Sequence, residues 1–200
     1  KKLKTMLSDK TNKEKFQNLL KDSKNLMPGL EAFLNRMMGN EGQGNEHLLK
    51  FLSSENVDGN TMFQYFIISV ETKGFIQDFW MRLKSKDKIS KKNLLLKKGA
   101  NDLNALLLSI TLKKESLFEF LFKEIYCDTL ELQEFIYETD KEKENFFHKI
   151  ARFGSHQMVK IAMEKIVDKL SQDEIRNLIK ASNAGNENVF HMMAKNNKDP

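Results

Sequence analysis

The chain has 200 residues, of which 40% are hydrophobic, and a formal net charge of +5. This length suffices for one sizeable core or for a stack of about four to five repeats. Only two prolines and nine glycines occur, a composition that favours helix throughout, and no β-hairpin signal is present. No apolar run approaches the roughly 18 residues that span a bilayer, and no signal peptide is visible. The single cysteine, Cys127, excludes an internal disulfide framework and suits a reducing compartment, so we expect an intracellular, cytoplasmic protein.

The segment between Asn60 and Leu83 carries two apolar faces at helical spacing. Phe63 and Ile67 lie on the first face, and Phe79 and Trp80 lie on the second. Residues three and four apart fall on one side of a helix, so the pattern predicts a pair of helices. We interpret Trp80 as a core residue of this pair.

A basic segment follows, and the sign of the charge then reverses. Between Arg82 and Lys98 there are eight basic residues and one acidic residue. Asp and Glu dominate from Glu115 to Glu144. The plain interpretation is a solvated surface, on which neighbouring parts of the chain attract each other weakly. The alternative is a surface for an acidic protein, nucleic acid or an anionic membrane.

Residues 144–163 read as two short helices joined by a tight turn. Phe147 and Ile150 mark the apolar face of the first helix. Asn145 precedes it and is a suitable N-cap, because its side-chain oxygen can accept a hydrogen bond from an early helical N–H. Gly154 follows it, and we expect this glycine to end the helix with a positive φ angle.

This arrangement recurs along the chain. Phe147 has counterparts in Phe16, Phe63, Leu106 and Phe190, at successive steps of 47, 43, 41 and 43 residues. The heptapeptide NFFHKIA at residues 145–151 and the related NVFHMMA at residues 188–194 resemble the T-P-L-H-x-A-A signature of ankyrin repeats. DGNTMFQ at residues 58–64 resembles the turn that begins such a repeat, with Gln64 where the family has histidine. NALL at residues 104–107 and EKFQ at residues 14–17 are weaker copies.

The copies also depart from that family. None has its proline, only two have its histidine, and the period exceeds the usual 33 residues. The extra length in each copy reads as a short helix before the turn, at about 46–52, 92–96, 130–136 and 173–179. We therefore expect an all-α helical-repeat solenoid of ankyrin-like helix pairs with an extra short helix per repeat. It forms a single array over residues 1–200, with repeats starting near residues 14, 60, 103, 144 and 187. HEAT or armadillo-type repeats and an irregular helical bundle are the alternatives.

Nothing in the sequence marks a catalytic, metal or cofactor site. His148 and His191 occupy equivalent places in two copies, and the resemblance implies that such histidines bond to turn backbone and hold neighbouring repeats in register. Zinc requires converging ligands, and residues one repeat apart lack the spacing of a helical metal pair. No phosphate-binding glycine loop or nucleophile elbow occurs. We expect a non-enzymatic protein without a cofactor.

The resemblance implies a scaffold that binds another protein. The candidate partner-binding residues are the varied polar residues at the turn tips: Asp58, Asn60, Asn101, Asp102, Lys141, Glu142, Lys143, Asn186 and Glu187. The alternative is a binder of nucleic acid or anionic membrane through the basic segment 82–98, with Lys84, Lys86, Lys88, Lys91 and Lys92 as the contact residues. The chain opens without an initiator Met and closes at Pro200 where another repeat should be running. We therefore expect a fragment, for example the accessory region of a larger effector, adaptor or channel.

Overall fold

The computed structural model describes residues 14–15, 18, 44–56, 58–69, 80, 88–125 and 129–196. Within those residues the protein is all α-helical, with ten α-helices, one short 3-10 helix and no strand. Two isolated antiparallel bridges occur in the same residues, Glu55 with Thr61 and Thr139 with Asn145. The expectation of an all-α protein is confirmed.

The chain packs as two compact units, Lys1–Ala100 and Asn101–Pro200. The described helices of the first unit are α1 (Gly44–Leu52), α2 (Met62–Ser69) and α3 (Lys88–Leu96). Those of the second unit are α4 (Ala105–Thr111), α5 (Glu115–Ile125), α6 (Thr129–Tyr137), α7 (Phe146–Phe153), α8 (His156–Ile166), α9 (Gln172–Lys180) and α10 (Val189–Asn196). The 3-10 helix covers Ala100–Asp102.

Four helices begin directly after a capping residue at the positions that the sequence pattern predicts. Helices α2, α4, α7 and α10 follow Thr61, Asn104, Asn145 and Asn188, and each of these side chains accepts a backbone N–H from the first turn of its helix. The predicted short extra helices are also present, as α1, α3, α6 and α9, within four residues of the expected bounds. The local sequence therefore determines where these helices lie.

The core of the first unit forms around Phe63 on α2. Its ring centroid lies 5.9 Å from that of Trp80 and 6.4 Å from that of Phe66. Trp80 is buried, so its interpretation as a core residue is confirmed. Helix α1 packs against both α2 and α3.

The core of the second unit is organised around α7, which packs against α4, α6, α9 and α10. Phe146 on α7 lies 6.3 Å from Phe118 and 5.8 Å from Phe122, both on α5 (centroid distances). Phe147 meets Phe146 edge to face at 5.6 Å. Burying a side chain of this size stabilises the folded state by about 1.5–3 kcal/mol, so these rings supply much of the unit's stability.

Two sequence predictions are wrong. Gly154 ends α7 with φ −69°, which is ordinary backbone. Glycine is needed there for space, since a Cβ would lie 2.6 Å from the Ile150 carbonyl oxygen. The anchor residues Phe63, Leu106 and Phe147 are buried as expected, but Phe190 is 62% exposed. Its helix, α10, packs mainly against α7 and α9, whereas α7 packs against α4, α6, α9 and α10 and also contacts α5 through Phe146. The fifth anchor, Phe16, lies outside the described residues.

Candidate functional site

The turns that precede α2, α7 and α10 share one hydrogen-bond pattern. Five residues before the cap, the side-chain Oδ1 of Asn56, Asp140 or Asn183 accepts two backbone N–H groups from its own turn, at 2.8–3.0 Å. The backbone N–H of the same residue donates to the carbonyl just before the cap, at 2.8–3.1 Å. Asn and Asp are the residue types whose short side chains hold a turn in this way. The three turns are therefore copies of one structure.

The turn before α4 has Gly99 at the corresponding position. A Cβ on Gly99 would lie 1.7 Å from Oε1 of Gln64, so the side chain of Gln64 takes the space that Asn or Asp fills elsewhere. Nε2 of Gln64 donates to the Lys97 carbonyl oxygen at 3.2 Å, which ties α2 to the segment between α3 and Gly99.

All four turns place a left-handed residue two positions before the cap. These residues are Gly59, Asp102, Lys143 and Asn186, with φ between 57° and 77°. The left-handed region is costly for an L-residue, least so for Asn and Asp, and free of steric cost for glycine. Three of the four turns therefore keep a side chain at a position where glycine would be less strained.

Backbone hydrogen bonds join successive turns of the second unit. The N–H of Lys141 donates to the carbonyl oxygen of Asn101 at 3.1 Å, and the N–H of Ala184 donates to that of Glu142 at 2.8 Å. Donor and acceptor occupy the same two turn positions in both bonds, four and three residues before the cap. We call the exposed tips of these three turns, 101–102, 141–143 and 184–186, the turn ridge.

The side chain three residues after the cap reinforces both its own helix and the next turn. In α7 the Nδ1 atom of His148 lies 3.3 Å from the Asn145 N–H nitrogen, while Nε2 lies 3.1 Å from the Glu187 carbonyl oxygen. A carbonyl oxygen only accepts, so Nε2 carries a proton. Gln64 makes the matching bonds to its cap in α2, but its Nε2 donates to the Lys97 carbonyl, which lies seven residues before the next cap. His191 completes the cap of α10, but it is exposed.

A buried group of charges supports the middle of the ridge. Nζ of Lys149 lies 2.6 Å from Oδ2 of Asp140 and 2.7 Å from Oε2 of Glu144, with all three side chains at least nine-tenths buried. Arg152 bonds the other oxygen of Glu144 at 2.8 Å. Buried charges are retained only when they are paired and hydrogen-bonded. These four residues, which we call the charge cluster, fix the turn that carries Lys141–Lys143.

The charge cluster was not predicted from the sequence. A signal was present, because Lys149 lies four residues after the cap, a position filled by Leu108 in α4 and Met192 in α10. A lysine at an otherwise apolar position, preceded by Asp140 and Glu144, indicates a buried partner for the ammonium group.

The predicted turn-tip residues fall into three groups: those on the turn ridge, those in the first unit, and Glu187. Asn101, Asp102, Lys141, Glu142, Lys143 and Asn186 are exposed on the turn ridge, and Asp58 and Asn60 belong to the first unit. Glu187 is half-buried and pairs with Lys195. The hydrogen bond from Lys195 on α10 holds the pKa of Glu187 below its ordinary value, so this side chain is engaged by α10 and is less accessible than the exposed ridge residues.

The predicted basic segment is only partly described. Lys84 and Lys86 lie outside the described residues, as do the side chains of Lys88 and Lys91 on α3. Lys92 is half-buried. Within the described residues, no group of three or more His, Cys, Asp or Glu side chains is arranged to hold a metal ion. None of the helices in that part of the chain is long and apolar enough to cross a membrane.

Comparison with protein-family models, with curated proteins and with solved structures finds no match.

Proposed function

We propose that this chain is a non-catalytic protein-binding scaffold, built from divergent ankyrin-like repeats that stack into a helical solenoid. The repeating caps, the shared turn structure and the turn-to-turn hydrogen bonds support the repeat architecture. The partner is another protein, and the array works inside the cell as an accessory region of a larger effector, adaptor or channel.

The observation that carries the binding role is the construction of the turn ridge. Its backbone is ordered by hydrogen bonds between successive turns, while its side chains stay exposed. Binding to an ordered surface costs less conformational entropy than binding to a mobile loop, because the surface does not have to be ordered by the partner. The ridge also carries a different polar side chain at each step, as Asp102, Lys143 and Asn186 illustrate. Varied polar groups at fixed spacing suit the recognition of one particular protein surface.

The charge cluster gives the middle turn of the ridge a further property. Asp140 holds its turn with one carboxylate oxygen and binds Lys149 with the other. Movement of the Lys141–Lys143 tip would therefore break buried ion pairs as well as turn hydrogen bonds. The middle of the ridge is the part in which we expect the partner contacts of highest specificity.

The test compares two charge-neutral reversals. The ridge variant carries Lys141→Glu and Glu142→Lys, and the control variant carries Lys160→Glu and Glu164→Lys on the exposed surface of α8. A photo-crosslinking residue replaces Asn186 in each chain, and the chains are exposed to an extract of the source cells. We expect one protein to be crosslinked, with its yield reduced about tenfold in the ridge variant and unchanged in the control. Equal yields in the two variants would contradict the proposal.

The rival function, binding of nucleic acid or anionic membrane through the basic segment, is tested on the same preparations. Duplex DNA and anionic vesicles are titrated at two salt concentrations. If five phosphates were neutralised by Lys84, Lys86, Lys88, Lys91 and Lys92, the affinity for DNA would fall with a log–log slope of roughly −4.5. The rival function would be supported by tight, salt-dependent binding that is lost when those lysines are neutralised. The ridge variant would bind DNA or vesicles as well as the original chain does, and the proposed function would be overturned.

A further inference from the structure

Four of the five large apolar side chains that are exposed in the described residues belong to two helices. Val159 lies on α8 and Val167 is its C-cap residue, while Phe190 and Met193 lie on α10, with exposed fractions between 38% and 62%. The two residues of each pair are eight and three positions apart, and Val167 keeps helical backbone angles, so each pair lies on one side of its helix. We call these four side chains and Met163, which is half-buried between Val159 and Val167 on α8, the end face.

All the end-face residues except Val167 occupy positions that are buried one copy earlier, and the counterpart of Val167 lies outside the described residues. Phe190 and Met193 correspond to Phe147 and Ile150 of α7, which are at most 8% exposed. Val159 corresponds to Phe118 of α5, which is fully buried. The helices that follow in sequence pack on these earlier helices, since α10 packs against α7 and α8 packs against α5. The end face is therefore the next instance of an interface that the chain already forms.

Polar groups on the end face point to the same occupant. The Nε2 atom of His148 bonds to a carbonyl in the next turn, and the Glu142 carbonyl accepts an N–H from the next turn. The corresponding groups are Nε2 of His191 and the carbonyl of Gly185, and both residues are exposed. Within the described residues, the ring of His191 bonds only to the cap residue Asn188, through Nδ1. An occupant with a turn and a helix in the established register would supply a carbonyl for His191 and an N–H for Gly185.

We propose that the end face is the docking surface for one more helix–turn–helix unit of the kind that the chain repeats, joined after α10 as α8 to α10 are joined after α7. This unit contributes an apolar helix face to Phe190 and Met193, an apolar second helix to Val159 and Val167, and the turn backbone to His191 and Gly185. The inference rests on the repeat architecture of the proposed function and is independent of the binding role of the turn ridge.

The experiment extends the full chain by one copy of its own unit. Phe153 and Asn196 occupy equivalent positions, 43 residues apart. Residues 154–196 are therefore repeated once after Asn196, which adds α8, α9, a turn and α10 in register. Both the 200-residue chain and the extended chain carry Phe190→Cys, and the rate of thiol modification at position 190 is followed by peptide mapping. We expect the rate to fall at least about tenfold in the extended chain, because the added unit buries the site.

A matched extended chain carries Met193→Glu in its first α10 only, which places a carboxylate in the new interface. We expect it to restore fast modification at position 190 and to leave the added segment sensitive to protease. An unchanged rate in the original extended chain overturns the inference, whether the added segment is folded or not, since that sequence folds when it follows α7.

Sedimentation of the unextended chain tests a different occupant. We expect a monomer at concentrations up to about 100 µM, because the proposed occupant is joined after α10 in the same polypeptide. A dimer that is abolished by Phe190→Glu with Met193→Glu would show that the end face joins two copies, which overturns the inference. The thiol-modification and sedimentation results do not depend on the turn ridge. Failure of the end-face proposal can therefore be distinguished from failure of the proposed binding role.

Discussion

Helices α7 and α10 are built alike and buried differently. Each follows an asparagine cap, each carries a histidine three residues after the cap that bonds back to it, and each has an ion pair between the residue before the cap and the residue seven after it. Yet Phe147 is 6% exposed and Phe190 is 62% exposed. The features they share depend on residues within one or two helical turns, whereas burial depends on helices about 40 residues away.

The same contrast separates two kinds of stability in this chain. Cap and turn hydrogen bonds each contribute about 0.5–2 kcal/mol and act wherever their local sequence occurs. Ring packing contributes more, and removing one partner of a buried charge pair costs more, but only where a neighbouring helix excludes water. The largest differences between variants of α7 and α10 should therefore come from the buried side chains, and the smallest from the turns.

The largest effect is expected at the anchor phenylalanines. Phe147→Ala should lower the free energy of unfolding by about 3–5 kcal/mol, because it leaves a cavity between α7 and its neighbours. Phe190→Ala should lower it by less than about 1 kcal/mol, since that ring is already in water. Urea denaturation of the two variants measures both. A loss below about 1 kcal/mol for Phe147→Ala would mean that α7 is not the core helix.

The charge cluster should give the next largest effect. Lys149→Met installs the residue that α10 has at this position, but it leaves Asp140 and Glu144 buried with fewer partners, so we expect a loss of about 3 kcal/mol. Adding Asp140→Asn should restore part of it, because Asn56 and Asn183 hold the same turn with an amide. The control, Lys195→Met on α10, should leave urea denaturation unchanged. If Lys149→Met were equally silent, the cluster would contribute no net stability.

The two histidines should differ by a smaller amount. His148→Ala removes bonds to Asn145 and Glu187 in a buried site and should cost about 2 kcal/mol. His148→Gln should cost less than about 1 kcal/mol, since Gln64 at the same position of α2 bonds both its cap and a distant backbone carbonyl. His191→Ala should cost less than about 0.5 kcal/mol, because its site is exposed. Thermal unfolding of the three variants measures these losses of stability. An equal loss for His148→Ala and His191→Ala would show that the burial of α7 does not strengthen its histidine bonds.

The smallest expected effect is a gain in stability at the turns. Lys143→Gly relieves a left-handed lysine at the expense of chain entropy in the unfolded state, for a net stabilisation of about 0.5 kcal/mol. Asn186→Gly should change little, because asparagine tolerates this region. If Lys143→Gly instead destabilised the chain in urea, the lysine side chain would have a structural role that its exposure does not indicate.

The sequence predicted the features that depend on nearby residues. The cap at Asn145, the equivalent places of His148 and His191, and extra helices such as α9 are where periodicity and cap chemistry predict them. These features recur at steps of 41 and 43 residues, and recurrence allows a weak local signal to be recognised.

Features that depend on contacts between distant residues were predicted less well. The exposure of Phe190 cannot be predicted from its own segment, which matches that of Phe147. Gly154 was expected to serve a positive φ angle, but a close carbonyl explains it. The Lys149 pairs and the hydrogen bonds between turns involve atoms whose separation only the folded chain determines. The turn tips were correctly placed in turns, yet their sequence contains no sign of the backbone bonds that order them.

The central claim is that backbone hydrogen bonds join successive turns of the ridge. Amide hydrogen exchange tests these bonds most directly. Lys141 and Ala184 lie on exposed turns, where an unbonded N–H would exchange rapidly. Bonded to Asn101 and Glu142, their amides should exchange at least about 100-fold more slowly than that of Gln172, which lies in the first turn of α9 and lacks an intrahelical acceptor. Exchange of Lys141 and Ala184 as fast as that of Gln172, in a chain whose α7 amides remain protected, would contradict the account.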